Sequence, residues 1–207
     1  MKHKLFTLLL TIMASIGTMF AWDYERVQIG DLYYNLDATN QTAEVTSQNS
    51  SYPYWSTSIT TANIPSSVEY NSVTYSVTSI GDWAFCDCSS LESVIIPKSV
   101  TSIGNVVFGG CTGLTALDVA TDNPHYCSED GVLFNKDKTT LIQYPGGKQD
   151  AYAIPNSVTT IEDYAFGNCY GLTSVTIPNS VTSIGGSAFE NSGVETINFI
   201  GSIISVH

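Results

Sequence analysis

The 207-residue sequence predicts a solenoid built mainly from short β-strands, on the strength of two repeating features. The interval from Phe85 to Phe108 is the same as that from Phe166 to Phe189. The phrase Ile-Pro-x-Ser-Val-Thr-Ser-Ile-Gly precedes these phenylalanines with small changes. A fixed period between about 20 and 50 residues is the signature of a repeat array, and this interval falls within that range. We therefore expect one domain of stacked copies of a small unit.

Residues 1–21 predict a secretory signal peptide. Lys2 and Lys4 form its charged start, residues 5–16 its apolar run, and Ala21 the cleavage edge. The apolar run is too short to span a bilayer, so no transmembrane segment is predicted in the mature chain. The expected localisation is secreted or at the cell surface.

The charge balance of the mature chain is strongly acidic. Cleavage after Ala21 would remove two of the 7 Lys and Arg residues, leaving 5 against 19 Asp and Glu, a net charge of −14. Binding of nucleic acid through its phosphates needs clustered Lys and Arg, so no nucleic-acid partner is predicted. The many Ser and Thr residues suit a surface of exposed strands better than one of helices.

Residues 22–63 lack the repeated phrase and predict a β-rich N-terminal cap. Apolar and polar residues alternate in stretches such as Asp31-Leu32-Tyr33-Tyr34-Asn35-Leu36. A cap is expected there because an uncovered first repeat would expose both its core and its unpaired backbone. For Tyr52, Tyr54 and Trp55 we favour packing over the first repeat, and a sugar-stacking platform is the alternative.

Residues 64–207 predict the solenoid itself. When the repeats are aligned by proline, the same apolar positions recur in each: Val100, Ile103 and Phe108; Val158, Ile161 and Phe166; Val181, Ile184 and Phe189. One unit cannot bury this set alone, whereas stacked units can, because each covers the apolar edge of the next.

A strand pattern follows each phenylalanine, as in Leu91-x-x-Val94-x-Ile96. It resembles the strand of leucine-rich repeats, whose side chains point alternately inward and outward. The outward positions form a hydroxyl-rich column that is our candidate binding face, namely Ser93, Ile95, Ala116, Asp118, Ser174, Thr176, Thr196 and Asn198. A solvated sheet without a ligand is an equal alternative.

The stretch from Ile64 to Val206, with its phrase ending Ile-Gly-x-x-Ala-Phe, resembles the BspA-like, Treponema pallidum-type leucine-rich repeats of exported bacterial surface proteins. The resemblance implies a right-handed curved coil with a parallel sheet on its concave face. It also implies adhesion, or binding to host or matrix proteins, for some members, although repeat folds serve many ligands.

Two places depart from the period. The interval from Phe108 to Phe166 exceeds two ordinary repeats by about half a repeat, and residues 130–145 read as a hairpin. We predict a variant hairpin repeat at about 120–150 that projects from the coil. For its role we favour that of a modified rung, meaning one repeat of the coil, that has no part in binding. The segment Ser202–Val206 echoes Ser180–Ile184, which predicts a chain ending inside a repeat, either truncated or with an edge that pairs with another chain.

Cysteines recur at one position of the repeat. Cys88, Cys111 and Cys169 each lie three residues after the phenylalanine and three before the strand leucine. A ladder of small buried side chains is favoured, and a disulfide between Cys88 and Cys111 is the alternative. Cys86-x-Cys88 lacks the spacing of a zinc site, so no metal is predicted.

Catalytic residues and cofactors are not predicted. A hydrolase would have to use His125, with Cys127 nearby in sequence, and no third group can be named. Nucleophile elbows, phosphate loops and dinucleotide fingerprints do not occur. The leading hypothesis is a non-catalytic exported protein that binds a protein or extracellular matrix. The alternatives are a carbohydrate-binding module that uses the cap aromatics and the hydroxyl-rich face, and a fragment without an independent role.

Overall fold

A computed structural model describes residues 22–52, 54–55 and 59–201. The predicted signal peptide and the echo at Ser202–Val206 lie outside these residues. The described parts contain no apolar helix of the length needed to cross a membrane. Their strands, in chain order, are β1 (Tyr24–Ile29), β2 (Leu32–Asp37), β3 (Thr42–Thr46), β4 (Thr61–Asn63), β5 (Ser67–Tyr70), β6 (Val73–Ile80), β7 (Ser93–Ile96), β8 (Ser102–Ile103), β9 (Ala116–Val119), β10 (Tyr126–Glu129), β11 (Val132–Asn135), β12 (Thr140–Gln143), β13 (Asp150–Ala153), β14 (Thr160–Ile161), β15 (Leu172–Ile177), β16 (Ser183–Ile184) and β17 (Thr196–Phe199).

The N-terminal strands form a sheet that continues into the first repeat. Strands β1, β2 and β3 pair antiparallel, and β3 then pairs parallel with β6. Leu32, Tyr34 and Leu36 are buried at alternate positions of β2, as the sequence alternation predicts. Trp55 stacks on Phe85, with ring centroids 5.9 Å apart, and its Nε1 donates a 2.8 Å hydrogen bond to the Ala84 carbonyl. Packing of Trp55 over the first repeat is therefore confirmed.

Parallel strands stack along one side of the coil. Strands β4, β7 and β9 form one three-stranded sheet, and β13, β15 and β17 form a second. Val94, Leu117 and Val175 are fully buried beneath these sheets. Prolines follow the ends of β7 and β15 directly, because proline cannot donate to the ladder. The predicted fold class, an all-β leucine-rich repeat solenoid with a curved parallel sheet, is confirmed.

The repeated phenylalanines stack from rung to rung. Phe85 and Phe108 lie nearly parallel at 5.8 Å, and Phe166 and Phe189 at 4.8 Å. Between the two pairs the column is broken, and Tyr144 packs against Phe166 at 5.4 Å from the N-terminal side. The regular spacing of phenylalanines in the sequence therefore reports one stacked ring per rung, buried in Phe85, Phe108 and Phe166 and half-buried in Phe189.

The variant hairpin is buried between the two halves of the coil, so the prediction that it projects is wrong. Strand β11 pairs antiparallel with both β10 and β12, and Val132, Leu133 and Phe134 are fully buried. The buried apolar residues form two cores, one in the N-terminal half of the coil and one in the C-terminal half. Leu133 belongs to the N-terminal core, whereas Val132 and Phe134 belong to the C-terminal core. The strand is apolar on both faces because both faces are covered, as in a central strand of a layered fold.

Candidate functional site

The predicted binding column lies on the outer face of the parallel sheets, where it is divided into two groups. In the N-terminal group, Ser93 is paired with Ala116 and Ile95 with Asp118. Ile95 is 42% exposed and Asp118 is exposed, whereas Ser93 and Ala116 are half-buried. The exposed part of this group is therefore an apolar side chain beside a carboxylate, whereas the sequence had suggested a surface made mostly of hydroxyl groups.

The C-terminal group is more polar. Ser174 is paired with Thr196 and Thr176 with Asn198. Thr196 and Asn198 are exposed on the last described strand, and Ser174 and Thr176 are half-buried. The four side chains offer three hydroxyls and an amide to a partner without any formal charge.

Two additional strands extend the column, and sequence reasoning missed both. Strand β4 places Thr61 beside Ser93 and Asn63 beside Ile95, while β13 places Ala151 beside Ser174. Neither strand carries the Leu-x-x-Leu pattern in full. Each is followed directly by Ile-Pro, at residues 64–65 and 154–155, and this dipeptide was the signal that could have found them.

Backbone from the variant repeat separates the two groups. The Leu117 N–H donates to the Gly131 carbonyl at 2.9 Å, and the Gly147 N–H donates to the Leu114 carbonyl at 2.7 Å. A Cβ atom on Gly147 would lie 2.7 Å from the backbone of Gly113, so only glycine allows this approach. The parallel ladder thus ends at β9 and resumes at β13.

A second exposed surface is aromatic. Tyr54 stacks on Trp83 with centroids 5.9 Å apart, and Tyr52 contacts Tyr54 edge to face. Tyr52 is 74% exposed and Trp83 is 42% exposed. Trp55, the third residue of the predicted platform, instead packs inward against Phe85. The exposed aromatic cluster is therefore Tyr52 and Trp83 together with Tyr54, which is half-buried and contacts both.

The His125 and Cys127 region lacks the geometry of an activated nucleophile. The Cys127 thiol donates a 3.2 Å hydrogen bond to the Asn135 carbonyl, and burial raises its pKa. Activated thiolates have a lowered pKa, so this shift has the opposite sign. His125 is exposed, and its ring contacts the ring of Tyr126.

The nearby Asn123 is a structural residue that the sequence did not reveal. It is fully buried, and its Nδ2 donates to the carbonyls of Pro97 and Val100 at 2.9 and 3.0 Å. Its Oδ1 accepts from the N–H groups of His125 and Tyr126 at 2.8 and 2.9 Å. Asn123 therefore joins the turn after β9 to the turn of the preceding rung.

The cysteine ladder is confirmed as buried packing. Cys88, Cys111 and Cys169 are buried, and all five cysteines of the chain are free. The Cys111 thiol donates to the Phe85 carbonyl of the preceding rung at 3.0 Å. Burial raises the pKa of Cys88 and of Cys169 to about 12, which keeps both thiols protonated at neutral pH. Within the described ranges, no three His, Cys, Asp or Glu residues are grouped to hold a metal ion.

Rungs that stack through their aromatic rings and through their parallel strands define a leucine-rich repeat solenoid. The sequence model of the BspA type leucine-rich repeat region matches residues 49–127 and 144–207, in six copies. This match covers more than half of the chain, so the chain belongs to the BspA-type leucine-rich repeat family. A comparison with curated proteins finds no match.

Solved structures of bacterial leucine-rich repeat proteins are similar to this chain. A leucine-rich cell surface protein from Faecalibacterium prausnitzii shares 22% identity over 84% of this chain and 76% of its own, with a TM-score of 0.47. A leucine-rich repeat protein from Eubacterium ventriosum shares 27% identity over 60% of this chain and 46% of its own, with a TM-score of 0.49. The leucine-rich repeat protein of Treponema pallidum shares 22% identity over 84% of this chain and 71% of its own, with a TM-score of 0.42.

Proposed function

We propose that the chain is a non-catalytic, exported repeat protein of the cell surface that binds a protein or matrix component through its parallel strands. The observation that carries the proposal is the outward column on β4, β7, β9, β13, β15 and β17. Its side chains stand on a backbone fixed by the fully buried residues between them, such as Val94 and Val175. A partner would therefore meet a rigid surface and lose little entropy in ordering it.

The composition of the column favours a protein partner. Ile95 supplies exposed apolar area beside Asp118, and the C-terminal group supplies hydroxyls and an amide that bond to backbone or side-chain groups. The formal net charge of −12 favours a partner with a basic surface, because opposite charges accelerate encounter and suppress wrong partners.

A pulldown of residues 22–207 against matrix proteins and the producing cell's surface extract tests this function. A triple variant, Ser93→Lys, Ser174→Lys and Thr196→Lys, places charge along the column. The matched control carries three lysines at exposed positions elsewhere, Ser66→Lys, Thr74→Lys and Ser157→Lys. We expect the column variant to lose capture while the control retains it. Equal capture by both variants, or no capture by the unmodified chain, would refute the proposal.

A carbohydrate-binding module is the second candidate, and the exposed aromatic cluster favours it. Tyr54 and Trp83 present stacked rings at the surface, and aromatic faces are suited to the apolar faces of sugars. Soluble glycans that stack on Trp83 would change the tryptophan fluorescence of the chain. The change should disappear in Trp83→Ala and persist in a Trp22→Phe control. A glycan panel that leaves the fluorescence unchanged would rule this candidate out.

A further inference from the structure

A groove of about 450 Å³ opens beside the short strands, away from the parallel sheets. One wall is the turn from Ile103 to Phe108 and the other is the turn from Glu162 to Tyr164, with Tyr126 and Gln143 between them. The groove lies where the ladder of short strands breaks: β8 pairs with β6, whereas in another sheet β14 pairs with β12 and β16 pairs with β14. Its volume is within the range of pockets that hold ligands.

The first wall carries backbone donors whose equivalents are paired in the rungs of Phe85 and Phe166. The N–H groups of Trp83 and Phe85 donate to the next rung, at the carbonyls of Asn105 and Val107, over 3.1 and 3.0 Å. The equivalent N–H groups one repeat later, those of Val106 and Phe108, donate to no acceptor among the described residues. These two donors are two residues apart, which is the period at which one edge of an extended chain offers its carbonyls.

The opposite wall carries the matching acceptor. In the last pair of rungs, the Tyr164 N–H donates to the Gly186 carbonyl at 3.2 Å. The equivalent carbonyl one rung earlier, that of Asp163, accepts no hydrogen bond within the described part of the chain. The next acceptor along this wall, the Ala165 carbonyl, is already taken by the Tyr144 N–H at 2.8 Å. The groove is therefore a slot for one missing rung, with donors on one side and an acceptor on the other.

A nearly buried amide side chain also faces this slot. Gln143 is only 7% exposed and lines the groove. Its Nε2 donates to the carbonyls of Tyr144 and Ala165 at 2.9 and 3.3 Å, whereas its Oε1 accepts no bond from the described residues. The Oε1 atom is open to solvent in the groove, so it can accept a hydrogen bond from a donor that binds there.

The charge of the slot is negative. Its described lining includes Glu162 and Asp163 and contains no Lys, Arg or His. Glu162 is exposed and its carboxylate makes no ion pair with a described residue, whereas Asp163 accepts a hydrogen bond from the Gly186 N–H. A cationic side chain is the complement of this rim.

We propose that the slot binds a short extended peptide segment of a partner protein that carries a lysine or arginine. The segment supplies the missing rung: its carbonyls accept from Val106 and Phe108, and one of its N–H groups donates to Asp163. Its cationic side chain pairs with Glu162. This is strand addition to an exposed backbone edge, in which main-chain bonds give affinity and the flanking side chains give specificity. The site is separate from the column on the parallel strands, and either can fail without the other.

The test uses residues 22–207 and three fluorescent pentapeptides. The first is acetyl-Val-Thr-Lys-Val-Thr-amide, the second has glutamate in place of lysine, and the third has every backbone nitrogen methylated. Anisotropy measures affinity, and amide hydrogen exchange by NMR reports the site. Binding of the lysine peptide should slow exchange at Val106 and Phe108 and leave Trp83 and Phe85 unchanged, because those two are already bonded in the free protein.

Two variants complete the design. Glu162→Lys should weaken the lysine peptide by about fivefold or more, since an exposed ion pair becomes a repulsion. Glu69→Lys makes the same charge change at an exposed position on β5 and should have no effect. The proposal is overturned if the three peptides bind alike, if binding protects amides elsewhere, or if Val106 and Phe108 are already protected in the free chain. Circular dichroism of each variant verifies the fold.

Discussion

Replacement of Asn123 by alanine should be one of the most damaging single changes outside the apolar core. The side chain makes four hydrogen bonds, all between 2.8 and 3.0 Å, to backbone groups of two successive rungs. Asn123→Ala would leave the carbonyls of Pro97 and Val100 and the N–H groups of His125 and Tyr126 without these partners. The change tests whether a polar contact joins the variant repeat to the rung before it.

The expected cost follows from the number of groups and their burial. A net contribution of about 1 kcal/mol for each of the four bonds, with partial access of water to the exposed His125 side, predicts a loss of about 3 to 4 kcal/mol. The loss would be a large part of the total stability of a typical domain, which is only roughly 5–15 kcal/mol. Urea unfolding followed by circular dichroism measures the difference. Asn156→Ala, at an exposed position without side-chain hydrogen bonds to the described residues, is the matched control and should stay within about 0.5 kcal/mol of the parent.

A second substitution at the same position makes the test independent of side-chain size. In Asn123→Asp, a carboxylate oxygen would replace the amide that donates to Pro97 and Val100, and the two carbonyls would repel its charge. Its folded-state pKa should therefore be raised above the unfolded value of about 3.9. The variant should be closest to the parent in stability below pH 4 and lose stability as the pH rises through the raised folded pKa. A cost below about 1 kcal/mol for the alanine variant, or an aspartate variant as stable at pH 7 as at pH 4, would refute the reasoning.

Three other outcomes are expected. Phe166→Ala should cost about 3 to 5 kcal/mol in urea unfolding, because the ring is fully buried between Tyr144 and a second phenylalanine, whereas Ser174→Ala should cost less than about 0.5 kcal/mol. Val106→Asn should raise the unfolding free energy by about 1 kcal/mol, because a β-branched residue is held at a φ of +51° that asparagine tolerates better; a melting temperature at or below the parent's would contradict this. An excess of a thiol reagent at pH 7.5 should label the native chain slowly and at Cys127 alone, and all five cysteines in 8 M urea, as read by mass spectrometry; rapid native labelling of the other four would show that they are not buried.

The periodic part of the fold was predictable because each rung repeats one solution to the same packing problem. Phe85 and Phe166 are far apart in the chain but occupy equivalent buried sites, and the sequence spacing alone identifies them. The outward and inward alternation of the strands was also readable, since a strand exposes every second side chain. The binding role of the outward residues stays a prediction.

The variant repeat could be predicted only in part. Two apolar runs around a polar turn indicated the hairpin, but the prediction that it projects was wrong because the continuous apolar run of β11 was not used. Val132, Leu133 and Phe134 are consecutive apolar residues, which is typical of a strand covered on both faces. That signal was present in the sequence and indicates burial.

Asn123 and the groove had no comparable signal. An asparagine before a proline is typical of a surface turn, and nothing in the sequence shows that its amide reaches back to Pro97. The groove forms where the variant repeat has no turn like those of the ordinary rungs, so its walls are the turns of the rungs on either side, at Val106 and Asp163. Only the three-dimensional register shows that their backbone groups have lost a neighbour.

The shared strand β11 changes how the coil should unfold. A repeat array usually unravels from its ends, because each repeat contacts only its neighbours. Here Leu133 completes one core and Phe134 the other, so separating the halves would expose both sides of one strand to water at once. The most irregular stretch of the chain therefore acts as the junction that makes the two halves melt together, and proteases should cut it later than the regular rungs on either side.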